Sequence, residues 1–62
     1  MIGKVRKLRH WRDGGRDWYQ VVYLTTVVTY CGVSSLPEEA RRLLARRSKP
    51  VSYNGRTVIE YS

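Results

Sequence analysis

The sequence predicts a small α+β domain: an N-terminal β-hairpin, one or two short helices and a C-terminal β-hairpin, in the order β-β-α-α-β-β. Three observations predict it. "YNGR" at 53–56 is a two-residue turn signal, because a type I′ turn needs positive φ at both central positions and Asn and Gly tolerate it best, and the Asp-Gly-Gly core of "RDGGR" at 12–16 supplies the positive φ values a short loop needs. Between them, "SSLPEEARRLLARRS" at 34–48 carries the apolar spacing of an amphipathic helix. The 62 residues have no internal repeat, linker or low-complexity tract, so residues 1–62 read as a single domain.

The first hairpin spans residues 4–24, with "KVRKLRHW" and "DWYQVVYL" flanking the Gly-rich turn. In its second strand Trp18, Val22 and Leu24 share one face, and Tyr19, Val21 and Tyr23 share the other. Both faces are apolar, which fits a strand covered on both sides or shared with a second subunit.

"TTVVTYCG" at 25–32 gives two conflicting signals. Five of the six residues from Thr25 to Tyr30 are β-branched, which favours strand. Leu24, Val27, Val28 and Cys31 fall at i, i+3, i+4 and i+7, Thr25 is an acceptable N-cap and Gly32 stands at a C′ position, which together favour a short helix. The periodicity is taken, and a continued strand, giving β-β-β-α-β-β, is the alternative.

In the next segment Ser35 and Glu38 have capping-box spacing, and Pro37 is tolerated in a first turn. Leu36, Ala40, Leu43 and Leu44 form one apolar stripe, and the helix is expected to run from Ser35 to Arg47. Glu38 and Glu39 near its start and Arg46 and Arg47 near its end complement the helix dipole, as in many ordinary helices. In the last hairpin Thr57, Ile59 and Tyr61 alternate with Arg56, Val58 and Glu60.

Charge bounds the function. Twelve Lys and Arg stand against five Asp and Glu, for a formal net charge of +7, a sign that attracts polyanions. Nine of the twelve cations are arginines, which favours bidentate contact with phosphates or guanine edges. Cys31 is the only cysteine and His10 the only histidine, so neither a disulfide within the chain nor a structural zinc site is expected, and no cofactor is. Asp13 and Asp17 flank the turn, where Asp is ordinary turn chemistry, and the expectation is that the protein is not an enzyme. No basic start is followed by an apolar run of signal-peptide length, and the longest apolar-leaning run, Val21 to Cys31, is far short of the roughly 20 residues of a membrane span. A soluble, cytoplasmic protein with no membrane partner is expected. A domain this small buries only about 60% of its unfolded surface, which makes a homodimer a reasonable expectation.

"YLTTVVTYCGVSS", "EEARRLLARR" and "PVSYNGRTVIEY", spanning Leu24 to Tyr61, resemble the short winged helix-turn-helix domains of phage excisionases and related regulators. That resemblance implies a recognition helix carrying Arg41, Arg42 and Arg46 into a major groove, with Arg56 and the turn residue Asn54 at the wing and Lys49 before it. "KVRKL", the tyrosine-rich second strand, "LPEEARRLL" and "NGRTVI" are similar to pieces of the AbrB-like swapped-hairpin regulators. There the contact surface would be Lys4, Arg6, Lys7, Arg9, Arg12 and Arg16, in an intertwined dimer. Both resemblances imply sequence-specific binding of double-stranded DNA, in transcriptional regulation or as a recombination accessory factor. RNA binding or a ribosome-associated role, with Trp11, Trp18, Tyr19 and Tyr53 stacking on unpaired bases, is the alternative, and an acidic protein partner is another.

Overall fold

The structure is a computed structural model and describes residues 4–62. Strands β1 (Lys7–Asp13), β2 (Arg16–Val22), β3 (Val27–Cys31), β4 (Ser48–Tyr53) and β5 (Arg56–Tyr61) form one antiparallel sheet in the order β3-β2-β1-β5-β4. A single short helix, α1 (Glu38–Arg42), lies between β3 and β4, with 3₁₀ turns at Val33–Ser35 and Leu43–Ala45. The domain is therefore mostly sheet, and the expected β-β-α-α-β-β arrangement is corrected.

Both hairpins close as their turn residues require. Gly14 and Gly15 have φ of 60° and 76°, and Asn54 and Gly55 have 52° and 76°. With two-residue loops fixed in this way, pairing runs from Asp13↔Arg16 to Lys7↔Val22 in the first hairpin and from Tyr53↔Arg56 to Ser48↔Tyr61 in the second. β1 and β5 then join the hairpins, with Leu8 opposite Tyr61 and His10 opposite Ile59.

Residues 25–31 are not a helix. Tyr23 N–H donates to Thr26 O at 2.8 Å, closing a tight turn, and Val27 to Cys31 pair along β2. The supposed helical stripe is not buried, since Leu24 is 73% and Val27 50% exposed and Cys31 is exposed too. Burial instead alternates, with Val28 and Tyr30 packed against the core. The β-branched run prefers this geometry because its side chains keep a favoured χ1 on a pleated surface.

The second predicted helix is shortened at both ends. Leu36 precedes Pro37, and the proline ring disfavours helical backbone in the residue before it, so Leu36 is extended (φ −70°, ψ 141°) and no capping box forms. Ser35 Oγ donates to Cys31 O at 3.2 Å instead. The helix tightens to 3₁₀ after Arg42, and Arg46 is extended (φ −101°, ψ −170°). The apolar stripe survives the shortening: Leu36, Ala40 and Leu43 are buried, and Leu44 packs beside them.

This stripe covers one face of the sheet. There Leu8, Tyr19, Val21 and Tyr23 complete the core. Burial holds the Tyr19 and Tyr23 phenols above the ordinary value of 10.0, with Asp17 and Tyr61 adding to the effect at Tyr19 and Tyr30 at Tyr23. His10 stacks on Tyr19 with ring centroids 4.5 Å apart, and its Nε2 hydrogen-bonds Asp17 Oδ1 at 3.0 Å.

Candidate nucleic-acid interface

Side chains alternate across a strand, so the register that buries Leu8 and Val21 sends Lys7, Arg9, Trp11 and Asp13 of β1 to the opposite face. Arg16, Trp18, Gln20 and Val22 of β2 join them, with Lys49, Val51 and Tyr53 of β4 and Arg56, Val58 and Glu60 of β5. No helical segment packs on this face among the described residues.

Trp11 and Trp18 stand directly opposite each other, a consequence of the Gly-Gly turn two pairs away. The Trp18 indole N–H donates to Asp13 O at 3.3 Å, which fixes its ring. Because β1 and β5 are antiparallel, the tips of both hairpins lie at the same end of the sheet. Between them is a concavity of ≈ 340 Å³, lined by Trp11, Asp13, Trp18, Gln20, Thr29, Tyr53, Asn54 and Arg56. The Arg56 guanidinium carbon lies 5.8 Å from the centre of the Trp11 ring, within cation–π range.

Arg9 is held in the interior of the face. Its side chain is only 17% exposed, sits 4.4 Å over the Tyr53 ring, and donates to Gln20 Oε1 at 3.0 Å and Glu60 Oε2 at 3.3 Å. Lys7 Nζ is 3.8 Å from the same carboxylate. Arg9 therefore works first as a brace that orients Tyr53, with its charge largely matched by Glu60. Arg16, Lys49 and Arg56 are exposed.

Of the twelve residues expected to contact DNA, ten separate into two groups, and Lys4 and Arg6 lie before β1. Lys7, Arg9, Arg16, Lys49, Asn54 and Arg56 lie on the open face or its hairpin tips. Arg12 has the strand parity of Leu8, on the covered side, where its Nη1 approaches Asp17 Oδ2 at 3.5 Å. Arg41, Arg42 and Arg46 are exposed on the segment that packs over that same side. Arg42 also reaches Glu38 at 3.4 Å, one turn back and largely in solvent, where such a pair contributes little. The sheet lies between the two groups, so one flat contact can use only one of them.

Tyr19, expected among the stacking aromatics, is buried on the covered face. Gln20 and Thr29 line the concavity and were not among the expected site residues. Gln20 could have been found by counting back from the Gly-Gly turn, which pairs it with Arg9. Thr29 could not, because its place depends on β3 being a strand.

No protein family matches the chain, and no curated protein or solved structure is significantly similar to it. Among the described residues no helix is long and apolar enough to cross a membrane.

Proposed function

We propose that the protein binds nucleic acid through the open face of its sheet, holding unpaired bases in the concavity between the two hairpin tips. The observation that carries this reading is the convergence of Trp11, Trp18, Tyr53 and Arg56 on one concavity in a chain of net charge +7. Aromatic rings on a sheet stack on bases of any sequence, and neighbouring arginines meet the phosphates between them. Gln20, Thr29 and Asn54 add neutral donors and acceptors suited to base edges or a ribose hydroxyl. RNA and single-stranded DNA are both ligands of this class.

Sequence-specific binding of duplex DNA, with a role in transcription or recombination, is the second reading. The exposed arginines Arg41, Arg42 and Arg46 on the covered side favour it. At five residues α1 is about 7.5 Å long, which leaves room for only one or two base contacts in a groove.

Titrating the protein with single-stranded RNA, single-stranded DNA and duplex DNA at matched salt tests the proposal. Single strands should bind more tightly, quench tryptophan fluorescence and show a slope of log affinity against log salt near −0.7 per contacted phosphate. Preference for duplex with unquenched tryptophans would move the function to the other side of the sheet.

A further inference from the structure

The two edges of the sheet are built differently. On β4 the two-residue turn makes Tyr53↔Arg56 a hydrogen-bonded pair, so the alternate residues Ser48, Pro50 and Ser52 turn their backbone groups outward. Pro50 has no N–H to offer, and the charged Lys49 stands beside it, two devices that block strand addition.

β3 has neither. Gly32 N–H donates to Asp17 O at 2.9 Å beyond one end of the β2–β3 ladder and Tyr23 N–H to Thr26 O beyond the other. The alternation between them turns the backbone groups of Val27, Thr29 and Cys31 away from β2, to the edge. No charged residue occurs between Asp17 and Glu38. The exposed large hydrophobics among the described residues, Leu24, Val27 and Val33, all lie on β3 or within three residues of it.

From this asymmetry we infer that β3 is a self-association edge, pairing antiparallel with β3 of a second copy about a twofold axis through Thr29. The occupant is a second copy because the edge is self-complementary. The axis sets Thr29 against Thr29, Val28 against Tyr30 and Val27 against Cys31, pairs that stabilise antiparallel ladders, and each outward donor meets an acceptor. Two chains of +7 repel elsewhere, and the uncharged edge is where they can approach. The product is a continuous ten-stranded sheet with both open faces on one side.

Sedimentation of the full chain across the micromolar range tests this. Wild type should move toward twice the 7.3 kDa chain mass as concentration rises, and added salt should tighten the association by screening the repulsion. Thr29→Pro removes only an outward-facing donor, and Thr29→Lys sets like charges face to face; each should remain at the chain mass with an unchanged circular dichroism spectrum. Ser52→Pro, the matching change on β4, should leave the association intact. Register is read separately in a Cys31→Ser background. Thr29→Cys should oxidise to a covalent dimer faster than Ser52→Cys, since the paired Cα atoms would lie about 5.5 Å apart. A wild type that stays at the chain mass overturns the inference. So does association that survives both Thr29 variants, weakens with salt, or depends on Ser52.

Discussion

The two faces of the sheet are made from alternate residues of the same strands, yet they serve different ends. On the covered face Leu8 and Val21 are wholly buried under Leu36, Ala40 and Leu43. On the open face Val58 is 1% exposed without belonging to that core cluster, and around it stand the partly buried Trp11, Tyr53 and Arg9 and the exposed Arg56. Apolar groups meet on the first face because the helical segment brings a complementary stripe. On the second, rings and guanidinium groups cover one another, leaving amphipathic surface with its polar edges available to a ligand. One face is energetically committed to folding and the other is free to bind.

The largest effect expected from breaking this division is on the covered face. Leu8→Ala removes a fully buried side chain from the middle of the core and should cost about 2–5 kcal/mol in chemical denaturation, enough to unfold much of a domain this small. On the open face Trp11→Leu should leave the chain folded and weaken single-strand binding by about 1–3 kcal/mol, the value of one stacked base. If Trp11→Leu instead unfolds the chain, the open face is a second core and the division fails.

A smaller effect sharpens which side meets the ligand. Arg56→Ala should change stability by no more than about 0.5 kcal/mol while reducing the single-strand salt slope by about 0.7, one phosphate's worth. Arg42→Ala should leave that slope unchanged. The reverse pattern would assign binding to the covered side.

The smallest effect is one of pH. Tyr19 and Tyr23 hold their protons more tightly folded than unfolded, so their contribution is fully present below the unfolded value of 10.0 and is lost as pH rises through their raised folded values. Thermal denaturation should therefore show a loss on the alkaline side of that value, and Tyr19→Phe should reduce it.

Much of this division was legible in the chain. Gly14-Gly15 and Asn54-Gly55 set both registers, because few other residues accept two successive positive φ values, and a two-residue turn leaves one pairing. From those pairings follow the Trp11–Trp18 opposition and the segregation of Tyr19, Val21 and Tyr23 from Trp18 and Val22. The stripe Leu36, Ala40, Leu43, Leu44 was legible for the same reason: its members must share a side whether the backbone is α or 3₁₀. Pro37 already carried the reason for the late helix start, in the restriction it places on Leu36.

Residues 25–31 were different. Their apolar positions satisfy helical spacing, and alternate residues also satisfy strand spacing, so local pattern alone gave two answers. The open edge of β2 decided between them: it offers five residues a ladder and packs Val28 and Tyr30, partly buried, against the core. Local residue chemistry by itself determined the turns, the strand faces and the apolar stripe, since each depends on dihedral preferences within a few residues. Only the tertiary structure decided that β3 is a strand, that α1 is short, and which of two amphipathic faces the helical segment covers, because each depends on backbone partners and buried area supplied by residues far away in the chain.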